Sequence, residues 1–157
     1  MVREVPTARL EIYGQGEDRA ALQSQIKQLG LQASVTLPGY TSDPAAVYER
    51  AALSLLTSRY EGYPLVLLET LAHGCPVVSY DVKYGPREII AQGENGYLVR
   101  AGAYRALARR VVEVLSDRDL RRRLSEQAGS LNPEFTEHTF VARWSKIFRD
   151  LDTEGWG

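Results

Sequence analysis

The sequence predicts an α/β protein built on a mostly parallel sheet covered by helices on both faces. Three observations point there. Short apolar, β-rich runs alternate with longer amphipathic stretches along the 157 residues, the pattern of repeated strand–helix–strand units. Gly and Pro steps fall at the changeovers. Val77 and Val78 stand side by side rather than alternating with polar residues, as in a strand buried on both faces.

The elements follow in order. Ala8 to Tyr13 is a first strand that ends at Gly14-Gln15-Gly16, and Asp18 to Leu29 places Ala21, Leu22, Gln25, Ile26 and Leu29 at helical spacing before Gly30 stops it. Val35 to Leu37 is a second short strand closed by Pro38-Gly39. Asp43-Pro44 opens a helix with a capping residue and a proline at its first position, and that helix gives way near Ala51. Leu53 to Thr57 is a third strand and Tyr60 to Tyr63 a loop. Pro64 starts an apolar helix that stops at His73-Gly74. Pro76 to Tyr80 is the fourth strand, Arg87 to Ile90 a short helical turn, and Tyr97 to Val99 the fifth strand. Three helices complete the chain, at Ala103 to Leu115, Asp119 to Ala128 and Thr139 to Leu151, with Asn132-Pro133 breaking the last two apart. The expectation is one domain over residues 2–151 with a five-strand sheet, and a frayed tail over 152–157.

Composition narrows the function. Lys plus Arg number 19 against 20 Asp plus Glu, so no global field favours nucleic acid as a partner. The lone Cys75 excludes an intrachain disulfide framework and fits a reducing compartment, which makes cytoplasm the expected location. No apolar stretch approaches the roughly 18 to 20 residues of a membrane span. One Cys and two distant His offer no metal-ligand cluster, and no nucleophile–base pattern supports covalent hydrolysis.

Ligands of parallel sheets bind beyond the carboxyl ends of the strands, which directs attention to the loops around 14–17, 38–42, 57–64 and 81–86. Gly14 and Gly16 allow close backbone approach to a phosphate or to another loop, although Glu17 and Asp18 repel an anion held over that helix end. In Glu61-Gly-Tyr-Pro-Leu-Val-Leu-Leu-Glu69 two carboxylates bracket a helix start, the second roughly 7.5 Å along the axis from Pro64. Between them the first-turn amides of Leu65 and Val66 form an anion site reinforced by the helix dipole. Ionised carboxylates only accept hydrogen bonds, which suits sugar hydroxyls, so a sugar–phosphate–sugar ligand fits the order of groups. Spacing alone leaves a plainer reading open, with Glu69 a helix-stabilising acid and Glu61 a solvated loop charge.

Glu61 to Glu69, followed by Thr70-Leu71-Ala72-His73-Gly74-Cys75-Pro76-Val77-Val78, then Gly85-Pro86-Arg87-Glu88-Ile89-Ile90 and Gly93-Glu94-Asn95-Gly96-Tyr97-Leu98-Val99, closely resembles the donor-binding domain of family-4 (group 1) glycosyltransferases. The resemblance runs from about Leu10 to about residue 115. It implies a Rossmann-like fold, the C-terminal half of the two-domain GT-B architecture. It also implies transfer of a hexose from a nucleotide diphosphate sugar with retention of configuration and no metal or other cofactor. UDP is the commonest nucleotide, with GDP and ADP as alternatives. By similarity, Glu61 is the catalytic carboxylate against the donor sugar, Glu69 holds the ribose hydroxyls, and Gly62, Tyr63, Pro64, Leu65 and Val66 hold the diphosphate. Pro38, Gly39 and Tyr40 line the nucleobase, Gly14 and Gly16 match the family's glycine turn, and Glu88 fits its Gly-x-x-Glu step. Asp81 to Pro86 resembles the bacterial subgroup that glycosylates wall teichoic acids and adhesin serines.

Departures from the family generate further expectations. The family's first strand and helix, with an Arg and a Lys that neutralise the donor phosphates, have no counterpart here. Nor has the N-terminal acceptor domain, so the chain is expected to be a fragment, a donor-binding module inactive by itself. Arg59 and Lys83 are the cations nearest the diphosphate site in sequence. Without its central first strand, the sheet is expected either to close the gap or to associate with another copy. His73 and His138 are expected to be structural. Arg100, Arg105, Arg109, Arg110, Arg118, Arg121, Arg122 and Arg123 form a basic face able to meet anionic lipid or polymer, which would place the protein at the inner membrane face; a solvated surface is the simpler reading.

Overall fold

A computed structural model of the chain describes residues 2–130 and 136–154. The Asn132-Pro133 break and residues 155–157 lie outside the described residues. The strands are β1 (Leu10–Tyr13), β2 (Val35–Gly39), β3 (Ser54–Leu56), β4 (Val77–Asp81) and β5 (Gly96–Arg100). The helices are α1 (Arg19–Gln28), α2 (Pro44–Arg50), α3 (Leu65–Ala72), α4 (Pro86–Ile89), α5 (Tyr104–Ser116), α6 (Arg118–Ala128) and α7 (Glu137–Glu154). Every strand pairing is parallel, as the alternation of strands and helices requires.

β4 is the anchor. Its adjacent valines face opposite ways: Val77 packs with Leu67 and Leu71 of α3, with Ile89 and Ile90, and with Ala128 of α6. Val78 packs with Tyr97, Val99, Val111 and Val114 of β5 and α5, and with Leu120 and Leu124 of α6. Both faces of the sheet are therefore covered, which is why the sequence there is continuously apolar. Gly96 lies directly across from Val77, so close that a Cβ on Gly96 would collide with the Val77 carbonyl.

Local chemistry sets the helix ends. Asp43 accepts from the Ala46 amide at 3.1 Å and Asp117 from the Leu120 amide at 2.9 Å, capping α2 and α6. Arg121 donates to the Val114 and Leu115 carbonyls at 3.2 and 2.9 Å, closing the α5–α6 corner. Gly74, at φ +67°, ends α3, and its carbonyl accepts from Ser125 Oγ at 2.6 Å, tying α6 to that turn. His73 closes α3, stacked near Tyr48 and 3.5 Å from Glu49. α7 continues to Glu154.

The single five-strand sheet does not form. β1 pairs only with β2, and β3, β4 and β5 make a separate sheet. The break falls between β1 and β3, where the first strand of the Rossmann-like order would stand. The two strands do not close the gap, and side chains on α2 bridge the two halves. From α2, Arg50 forks onto Glu11 of β1 at 2.5 and 3.2 Å and reaches the Tyr13 hydroxyl. Tyr48, also on α2, donates to Glu69 of α3 at 3.4 Å. The β1–β2 half is correspondingly thin: α1 buries no residue, and Ile12 and Leu29 are exposed.

Two consequences are measurable. Gly96→Ala should lower the unfolding free energy by about 3 kcal/mol through overpacking against β4. Gly102→Ala, at φ +77° with open space around it, should lose only about 1 kcal/mol. Chemical denaturation checks both, and equal losses would remove the strand contact as the cause. The second concerns Asp81 at the end of β4, which takes a two-pronged bond from Arg87 at 2.5 Å on each oxygen. That bond holds the Asp81 carboxyl below its usual value. A lowered folded-state pKa contributes stability above the unfolded value of about 3.9 and loses it as pH falls through the folded value. Arg87→Gln should therefore destabilise at neutral pH and converge on the parent below about pH 4. Parallel curves down to acid would refute the coupling.

Candidate functional site

The carboxyl ends of the strands present two groups of residues. The first begins where β1 ends. Gly14 adopts φ +121°, a conformation open to glycine, and its amide donates to the Gly39 carbonyl at 2.8 Å. Gly39 is itself at φ +92° and belongs to β2, so Pro38 and Gly39 finish the strand rather than follow it. A cleft of about 190 Å³ opens beside this junction, lined by Gly14, Gly16, Glu17, Asp18, Arg19 and Leu37 among others. Arg19 donates to the Leu37 carbonyl at 2.8 Å and so closes the floor of the cleft. Tyr40 stands beyond it, 75% exposed.

The second group surrounds the start of α3. Leu67 and Leu71 bury the inner face of this helix, and Pro64 is buried at its entry, while Tyr63, Leu65 and Val66 remain exposed. The Leu65 amide is already bonded to the Tyr63 carbonyl at 2.9 Å, and the Leu67 amide to the Pro64 carbonyl at 2.9 Å. Of the two amides expected for an anion, Leu65 is thus withdrawn. Val66 has no backbone partner among the described residues. Pro64 is fixed by Gly85, at φ +87° in the loop after β4, whose missing side chain makes room for the proline ring. The Arg87–Asp81 pair holds that loop from its other end.

The carboxylates flank this helix start. Glu61 is half-buried in the loop before it, and Glu69 is exposed on α3 and accepts from Tyr48. Burial raises the Tyr48 phenol above its ordinary pKa, and the Glu69 charge adds to the shift. Tyr63 is raised by burial first and then by the charge of Glu88, which places that carboxylate beside the same turn. Arg59 is exposed and makes no ion pair among the described residues. Lys83 lies 4.8 Å over the Tyr84 ring.

The structure joins Gly14 to Gly39, Pro64 to Gly85, Tyr63 to Glu88 and Glu69 to Tyr48. The hydrogen bonds linking the two groups run through α2, by way of Arg50 and Tyr48. Sequence reasoning missed the roles of Tyr48, Arg50 and Gly85. Nothing in the sequence spacing puts Tyr48 against Glu69. Chemically, the arrangement offers one open amide at a helix N-terminus between acceptor-only carboxylates, which fits an anion carrying hydroxylated groups on either side. Among the described residues no group of three or more His, Cys, Asp and Glu is placed to hold a metal ion, and no helix is long and apolar enough to cross a membrane.

Known proteins resemble this chain in sequence and fold. A poly(glycerol-phosphate) alpha-glucosyltransferase of Bacillus subtilis strain 168 is 34% identical over 145 residues, covering 92% of this chain and 22% of its own length. An exopolysaccharide phosphotransferase of Streptomyces coelicolor is 37% identical over 147 residues, covering 93% of this chain and 16% of its own length. Among solved structures, an S. aureus TarM mutant in complex with Fondaparinux, alpha-GlcNAc-glycerol and UDP matches with a TM-score of 0.89 at 27% identity, over 94% of this chain and 30% of that one. The chain spans less than a third of each of these proteins. The family profile described as glycosyl transferases group 1 matches residues 1–130, which include every strand and both groups of the site. On that match, the chain belongs to the group 1 glycosyl transferases.

Proposed function

We propose that this chain binds a nucleotide diphosphate sugar and is the donor domain of a retaining transferase that moves a hexose to an acceptor. One observation carries the reading: the start of α3 offers the Val66 amide between Glu61 and Glu69, on a fold that matches a UDP-containing TarM structure at 27% identity. In this reading Glu69 holds the ribose hydroxyls, Glu61 faces the donor sugar as the catalytic carboxylate, and Gly62 to Val66 cradle the diphosphate. Pro38, Gly39 and Tyr40 receive the base, with Gly14 and Gly16 alongside. Arg59, the exposed cation ahead of the turn, pairs with the phosphates. Catalysis by the whole transferase rests on stabilising the charge of the departing diphosphate and on positioning the acceptor. UDP is the preferred nucleotide, no metal takes part, and the enzyme works in the cytoplasm, at the inner membrane face when its acceptor is there.

A second reading makes this chain a nucleotide-sugar-binding module without transferase activity of its own. The split sheet favours it, because the two groups of the site stand on separate sheets here. Acceptor-dependent transfer by this chain alone would defeat it.

Calorimetric titration with UDP, GDP and ADP tests both. UDP should saturate one site, and Glu69→Ala should weaken it by about 1 to 3 kcal/mol, the loss expected for hydrogen bonds to a charged group. Unchanged affinity in the variant would remove Glu69 from the ribose site. The open edges of β1 and β3 carry a further expectation, that two copies associate through them. Sedimentation should show a concentration-dependent dimer, and a monomer at every concentration would overturn that.

A further inference from the structure

On the face of the sheet opposite α3, along the outer edge of β5, lies a cleft of about 550 Å³. Its lining includes Arg100, Arg109 and Arg110 with Gln92 and a single acid, Glu113. No step of donor binding uses it. We propose that this cleft is a docking site for a phosphodiester-linked polyol polymer, separate from the donor turn.

On the basic stretch from Arg100 to Arg123, Arg121 is taken up by the carbonyls ending α5, and Arg122 pairs with Asp119 and Glu126. In the cleft, Arg110 stacks 4.7 Å over Tyr97 and pairs with Glu113 at 2.6 Å, which fixes its guanidinium and neutralises the acid. Arg100 and Arg109 are exposed and make no ion pair among the described residues. Asp81, the carboxylate in register with Arg100 across β4 and β5, is already held by Arg87. The cleft thus carries two uncommitted guanidinium groups beside a third that is held in place. A guanidinium fork matches the oxygens of a phosphate better than any other side chain does.

Backbone geometry adds to this. Residues 96, 98 and 100 point their peptide groups away from β4 by strand alternation. The Leu98 amide on that edge is capped by Gln92 Oε1 at 2.7 Å and the Gly96 carbonyl by the Gly93 amide at 2.8 Å. Two of the outward polar groups on this edge are thereby taken by the chain itself, and the cleft's charge lies in its side chains. Beyond the cleft the basic line continues: Arg105, stacked on Tyr104, lies one turn before Arg109, about 6 Å along α5. An open trough with cations continuing past its end suits a chain of repeated phosphates rather than one small anion. The choice of a polyol phosphate over other anionic chains rests on the proposed transferase reading and on the poly(glycerol-phosphate) named for the B. subtilis relative, a polymer that would be the acceptor held while another segment visits the donor.

The test uses the whole chain with a synthetic glycerol phosphate oligomer, measured by fluorescence anisotropy. Arg100→Gln/Arg109→Gln should lower oligomer affinity about 10- to 100-fold, as for two lost charged hydrogen bonds, and leave UDP binding unchanged. Binding should weaken steeply with salt. Arg123→Gln on α6, which removes an exposed charge outside the cleft, should change affinity less than threefold by the ordinary scale of surface charges. Equal affinity of parent and double variant, or an equal loss in Arg123→Gln, overturns the cleft. Tighter binding per phosphate to phosphatidylglycerol vesicles than to the oligomer also overturns the proposal, because the arginines then face a membrane. A parent chain that binds UDP but not the oligomer defeats this inference alone, whereas a parent chain that binds the oligomer but not UDP defeats the donor reading.

Discussion

Burial of β4 on both faces is the constraint from which the site follows. Val77 and Val78 point into two separate apolar clusters, so the strand is gripped from both sides and its neighbours are placed relative to it. On the Val77 face, Leu67 and Leu71 fix the rotation of α3, which leaves Val66 and Glu69 outward. After the strand, the Arg87–Asp81 pair turns the chain so that Gly85 meets Pro64. The helix start is therefore held by hydrophobic packing below and by a loop beside it, and its one open amide is a product of both. Core packing positions the polar groups, and no long-range polar network is needed.

The β1–β2 half is held differently. It buries little apolar surface, and its connection to the rest passes through polar side chains on α2: Arg50 to Glu11 and Tyr13, Tyr48 to Glu69. Exposed ion pairs contribute little each, on the order of 0 to 1 kcal/mol. A half fastened this way is the less stable part of the molecule, and it carries the glycine turn and the residues proposed for the base. Binding a ligand across both halves would stabilise the weaker one by mass action, so donor affinity and local order are linked.

Cys75 illustrates the same division. It is buried beside β4, and burial lifts its thiol to about 12, well above the ordinary range. The thiol stays neutral at physiological pH and acts as a small apolar residue, so the one cysteine serves packing. The arginines make the complementary point. A stretch of eight arginines resolves into a corner clamp, helix pairs and a cleft only when the chain is folded, and Arg100 and Arg109 share that cleft without an ion pair among the described residues.

Much of this was legible in the sequence. The five strands and seven helices of the described residues were expected near where they stand, because strand and helix periods, caps at Asp43 and glycines at 14, 30 and 74 are local signals that short-range sterics enforce. The family was legible in the block from Glu61 to Val99, and the profile match bears it out. The split of the sheet was not, since pairing depends on which strands meet in space. The withdrawal of the Leu65 amide was also out of reach, being decided by one tight turn at Tyr63. Tyr48 against Glu69, Gly85 against Pro64 and the arginine cleft on β5 join residues distant in the chain. Sequence determined the elements and the family because those rest on local periodicity and motif; tertiary structure alone decided which side chains share a site, because that depends on how the two clusters around β4 orient the helices.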